Sequence, residues 1–218
     1  MNPIAKFVPP LDWITISLFL SLVFLAIGKY LFQNRFINFI ILPFNDKYIL
    51  LHNKKGQLFN WFHILLTLFQ LVNFALFLFL LQKNLFQVPY GNGASVFFWI
   101  LGFLILLLLV KMGLQYVKGY VFNTQHLVSE FIFSKTTYLN FSGLVMFVGN
   151  IFLIYILKDS KEVIYATIIL ILLINGIGIT KLLKNYQKAL FPHLLYFILY
   201  LCTLEIAPLV LIGSYLKD

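Results

Sequence analysis

Acidic residues are scarce in this chain and cysteine is nearly absent: seven Asp and Glu and one Cys stand among 218 residues. The lone Cys202 excludes an internal disulfide and any cysteine-based zinc cluster, so cysteine usage says nothing about redox compartment. Charged residues total 11% against 61% hydrophobic ones, too little polar surface to coat a water-soluble globule of this length. The residue patterns of the common catalytic sites are missing as well. There is no Ser/His/Asp or Cys/His set at workable spacing, no HExxH, no phosphate-binding loop and no glycine-rich nucleotide turn. An enzyme is therefore the least supported class, and neither cofactor nor metal is expected. His126 and Glu130, four apart, share a helical face, but two ligands without a third do not make a metal site.

What the chain does have is long apolar runs. Six of them reach the roughly 20 residues needed to cross a hydrocarbon core about 30 Å thick. They are 11–32, 58–81, 94–116, 138–157, 163–183 and 193–215. The expected fold is an all-α membrane protein, a bundle of six transmembrane helices forming one polytopic domain over residues 1–218. The first run follows a Pro-Pro pair and Asp12 rather than a basic stretch, and no small-x-small site follows it, so it reads as a span and not as a cleaved signal peptide.

Eleven of the sixteen Lys and Arg residues fall on one side of this ladder, among them Lys29, Arg35, Lys111, Lys135, Lys181 and Lys184. The positive-inside rule puts that side in the cytoplasm and both termini outside. A net charge of +9 then suits anionic headgroups, and no nucleic-acid module accompanies it. Trp13 and Trp99 mark outer span ends, and Trp61, Tyr30 and Tyr138 inner ones, as an interfacial belt. The inner stretches 33–57 and 117–137 mix apolar and basic residues like segments lying in the interface.

One carboxylate interrupts the last run. Glu205 lies twelve residues in from His193, about 18 Å deep at 1.5 Å per residue. A charge at that depth costs about 2.5–3.5 kcal/mol on insertion scales, so it marks a partner or a task. The same count puts Gln70 and Asn150 at about its height and Asn175 one turn lower, a predicted polar layer to which Asn73 also contributes. On span two, Asn60, His63, Thr67 and Gln70 fall within about 80° of arc and face other helices, either as interhelical glue or as a wet path with His63 at its mouth. Lys111 is the counter-ion to test for Glu205, Pro208 kinks span six beside it, and Gly176 with Thr180 offers a close-packing pair on span five.

The run Leu199-Tyr-Leu-Cys-Thr-Leu-Glu205-Ile-Ala-Pro208-Leu resembles the C-terminal signature of an uncharacterised bacterial inner-membrane family, domain of unknown function 4271. The stretch from Phe131 to Gly143 looks like the start of that family's fourth span, while Ala207 departs from the bulky residue the family carries before the proline. The resemblance implies an integral bacterial membrane protein and brings no activity or catalytic residue. Two expectations follow. The first is a non-catalytic scaffold or accessory subunit of a larger membrane complex, whose partners are the lipid bilayer and another protein or further copies of itself. The alternative is a small proton-coupled transporter or flippase in which Glu205 cycles its proton.

Overall fold

The computed structural model describes residues 12–45, 48–49, 60–86, 93–121, 125–158 and 160–190, with side chains for all of these except 85–86, 114–131, 182–183 and 185–190. Span six, with His193, Glu205 and Pro208, lies outside the described residues. The described residues form six helices: α1 (Asp12–Leu31), α2 (Gln33–Ile40), α3 (Trp61–Phe86), α4 (Gly93–Val121), α5 (Gln125–Ile151) and α6 (Lys161–Leu190). A π-helical turn, Phe152–Ile156, extends α5. All but α2 are long and apolar enough to cross a membrane.

Neighbouring side chains fix the directions. Trp13 of α1 packs on Phe79 near the end of α3, and Gly28 faces Phe62 and Leu65 near its start, so α1 and α3 are antiparallel. Thr67 meets Asn140 and Asn73 meets Asn150, which makes α3 and α5 parallel. Gly149 abuts Thr167 and Tyr138 abuts Gly178, so α6 returns antiparallel to α5. We call the end with Trp13 and Phe79 the upper end and the end with α2 the lower end. Helix α3 is the central post: 61% of its most apolar stretch is buried, against 11% for α4 and 17% for α6.

Two cores result. At the upper end Trp13 lies edge-on to Phe79 at 5.1 Å and near Phe97 at 5.4 Å, backed by Leu76, Leu80, Leu104, Leu153 and Ile164. At the lower end α2 and the residues after it turn inward. Phe39 contacts the rings of Tyr48, Phe62 and Phe141, and Tyr48 stacks on Phe133 at 6.0 Å. The opposite side of this segment leaves Ile37, Ile40, Ile41 and Phe44 exposed. The segment predicted to lie in the interface caps the bundle, since Phe36 and Phe39 are buried while Ile37 and Ile40, on the adjoining arc of the helix, stay exposed.

Three expectations need correction. The stretch 117–137 is no separate interfacial segment: α4 runs on to Val121 and α5 starts at Gln125, since no Gly or Pro interrupts Gln125–Thr137. Tyr138 is not a belt residue but 2% exposed, covered by α6 where Gly178 leaves room for its ring. The predicted Gly176/Thr180 pair faces away from α5: a Cβ on Gly176 meets nothing and Thr180 is exposed, because the packing glycine is Gly178, about 200° further round the helix.

Candidate functional site

The polar side chains of α3 converge on α5. His63, Gln70 and Asn73 are buried and Thr67 is half-buried along a face that receives Asn140, Gly143 and Asn150. The Thr67 hydroxyl donates to the His63 carbonyl at 2.8 Å and accepts from the Asn140 amide at 3.2 Å. One turn up, a Cβ on Gly143 would stand 3.0 Å from the Cα and Cβ of Gln70, so the helices touch backbone to backbone there. Above that contact, Asn150 donates to the Asn73 carbonyl at 3.0 Å while the Asn73 amide donates to the Phe69 carbonyl at 2.8 Å.

A second seam runs between α5 and α6. Asn175 donates to the Ser142 hydroxyl at 2.8 Å and to its own helix at Ile171, and Ser142 donates in turn to the Tyr138 carbonyl. Glycines close both ends of this seam: a methyl on Gly149 would lie 2.7 Å from the Thr167 hydroxyl, and one on Gly178 would lie 2.6 Å from Cγ of Tyr138. Below it, Lys181 donates to the Pro43 carbonyl at 3.2 Å, tying α6 to the cap.

Most of these side chains spend a donor within their own helix. Thr67, Asn73, Thr136, Thr137, Ser142, Thr167 and Asn175 all donate to the carbonyl one turn back, the usual way a polar side chain is accommodated in an apolar helix. The oxygens of Asn73, Asn140 and Asn150 are left buried without a hydrogen-bond partner, as are the Ser134 hydroxyl and both ring nitrogens of His63. His63 instead stacks on Phe133 at 5.1 Å.

Among the residues singled out from sequence, the structure brings Thr67, Gln70, Asn73 and Asn150 to one seam and Asn175 to the adjoining one. Heights differ from the residue count. Asn175 reaches Ser142, next to the Gly143 contact with Gln70, whereas Asn150 sits a turn or more higher beside Asn73. Counting from Tyr138 misplaced Asn150 because the apolar part of α5 already begins at Ile132. Lys111, the counter-ion to test for Glu205, lies near Lys135, and Glu205 is outside the described residues. Sequence reading missed Asn140, Ser142 and Gly143. The series Asn140, Gly143, Phe147 and Asn150, at helical spacing, is the signal that reveals that face.

The family model described as Domain of unknown function (DUF4271) matches residues 14–216, nearly the whole chain. The chain belongs to this family. The match spans both seams and the undescribed sixth run, so the DUF4271 domain takes in every residue of the candidate site. No curated protein and no solved structure matches the chain.

Proposed function

We propose that this DUF4271 protein is a non-catalytic scaffold or accessory subunit of a larger complex in the bacterial inner membrane. In this reading six spans cross the bilayer, both termini lie outside, and the lysine-rich lower end faces the cytoplasm. The observation that carries it is the double clamp on α5. A carrier that alternates access needs a seam that opens. Here Gly143 and Gly149 seat α5 directly on Gln70 of α3 and Thr167 of α6, Gly178 of α6 receives the Tyr138 ring of α5, and amide hydrogen bonds bridge the same seams. Polar locks between helices suit a part that holds position while other chains act. Isolation in mild detergent tests the reading: a stable stoichiometric complex supports it, and a lone homo-oligomer with proton-dependent uptake overturns it.

A second reading, a proton-coupled transporter using Glu205, is favoured by the unpartnered His63 and Ser134 and the three open asparagine oxygens, the kind of groups a proton path uses. Glu205→Gln separates the two. The amide keeps a hydrogen-bonding group, so the scaffold reading expects complex formation to survive, whereas the transport reading expects activity to stop.

A further inference from the structure

Helix α2 crosses the lower end of the bundle. Phe32, just before it, lies against Phe62 of α3 at 5.8 Å, Phe39 against Phe141 of α5 at 5.7 Å, and the Pro43 carbonyl beyond its end accepts from Lys181 of α6. Its level follows from the helices it joins. Leu31 stands nineteen residues below Asp12 and Lys181 twenty below Lys161, about 29 Å and 30 Å of helix. A hydrocarbon core is about 30 Å thick, so with the upper ends at one membrane surface α2 runs along the other.

Around α2 and its C-cap, at 100° per residue, Phe39, Phe36, Ile40, Ile37 and Ile41 fill an apolar arc of about 200°. One flank of that arc, Phe36 and Phe39, is buried against the bundle, while the other, Ile37, Ile40 and Ile41, is open, and Phe44 just beyond is 91% exposed. Asn34, Asn38 and Arg35 share the remaining side, and Gln33 on the first residue is the exception to the pattern. Four large apolar side chains side by side form a patch, not the scattered exposure that any surface shows. The patch continues the outer surface of a spanning helix, because Tyr30 and Leu31 at the lower end of α1 are exposed beside it. Trp61, exposed at the start of α3, stands at the same end, where an interfacial ring belongs. The charge agrees. Lys29, Arg35, Lys181 and Lys184 lie at this end, whereas the acidic side chains among those described, Asp12 and Glu162, start helices at the other.

We propose that α2 is a membrane-surface helix whose partner is the lower leaflet: Ile37, Ile40, Ile41 and Phe44 sink among the acyl chains while Asn34, Asn38 and Arg35 face the headgroups. The cap is then held from two sides, by α3 and α5 through Phe36 and Phe39 and by lipid through the isoleucines. The inference rests on the helices crossing a membrane and is independent of the scaffold reading.

The test uses the full chain, purified and reconstituted alone in vesicles of phosphatidylglycerol and phosphatidylcholine, with Cys202→Ser as background. Nitroxide labels are placed one at a time through Phe44→Cys, Ile40→Cys and Asn34→Cys, all at exposed positions. Collision with oxygen, which enters acyl chains, is compared with collision with a nickel chelate, which stays in water. Labels at Phe44 and Ile40 are expected to prefer oxygen and to calibrate to about 5–10 Å below the headgroup boundary, and the label at Asn34 to prefer nickel. A preference for nickel at Phe44 and Ile40 overturns the proposal, because the patch then faces water. Protection from both reagents overturns it in favour of a protein segment covering the face, and spin–spin broadening lost on dilution with unlabelled chain does so in favour of a second copy.

Discussion

Around Trp13 the helices meet through rings and aliphatic side chains, whereas α3, α5 and α6 meet lower down through amides, hydroxyls and glycines seated on their neighbours. In water the first kind of contact would dominate stability. In lipid it has no hydrophobic driving force, because acyl chains cover an apolar side chain as well as another helix does, and only packing favours the protein contact. The second kind has no substitute in lipid, since hydrocarbon cannot solvate an amide or fill a space set by backbone contact. The upper core therefore holds helices that lipid can re-dress, and the two seams fix where α5 stands.

The largest effect is expected from filling a glycine contact. Gly178→Leu puts a branched side chain where even a methyl lies 2.6 Å from the Tyr138 ring, and should cost about 3 kcal/mol in detergent unfolding. Gly176→Leu, two residues away and facing open space, should stay within about 0.5 kcal/mol. Equal losses at the two sites would erase the distinction between seam and lipid face. At the upper end, Trp13→Ala should cost about 2 kcal/mol through lost packing on Phe79 and Phe97, and Trp13→Leu should recover most of it.

Smaller still is the loss of one bridging amide. Asn150→Leu should cost about 0.6–1.7 kcal/mol, the range of interhelical hydrogen bonds in a membrane, and unlike Trp13→Leu no apolar replacement should recover it. The smallest effect at neutral pH belongs to Tyr48 in the lower cap. Burial raises its phenol above the ordinary value of 10.0, with Arg35 pulling the other way. The unfolded chain then releases this proton before the folded one, so stability is flat below pH 10.0 and falls as pH rises beyond it. Tyr48→Phe should remove that alkaline decline and change stability at pH 7 by about 1 kcal/mol or less, as pH-dependent unfolding will show.

Much of this was legible in the sequence, and what was not has physical causes. Apolar runs located the five described spans, because length and hydropathy are local properties. The polar face of α3 was legible from the 3.6-residue period of His63, Thr67 and Gln70. Its partner was not, since the pairing with α5 depends on how α4 reverses the chain. Nor was the height of Asn150, because Gln125–Thr137 is polar enough to resemble a loop yet contains no helix breaker. The choice between Gly176 and Gly178 turns on which face meets Tyr138, a fact of tertiary packing. Glu205 and Pro208, prominent in the sequence, lie outside the described residues.

The central claim is that α3 and α5 are locked together in the membrane. Thr67→Cys combined with Asn140→Cys, in a Cys202→Ser background, probes it at a point where the native side chains stand 3.2 Å apart. Oxidation in intact membranes should link the pair rapidly and nearly completely, leave copurifying partners in place, and give no link in a control joining Thr67→Cys to Trp99→Cys on the exposed face of α4. Failure to link, or a link that releases the partners, would contradict a fixed seam and show that α3 and α5 must move for the protein to work.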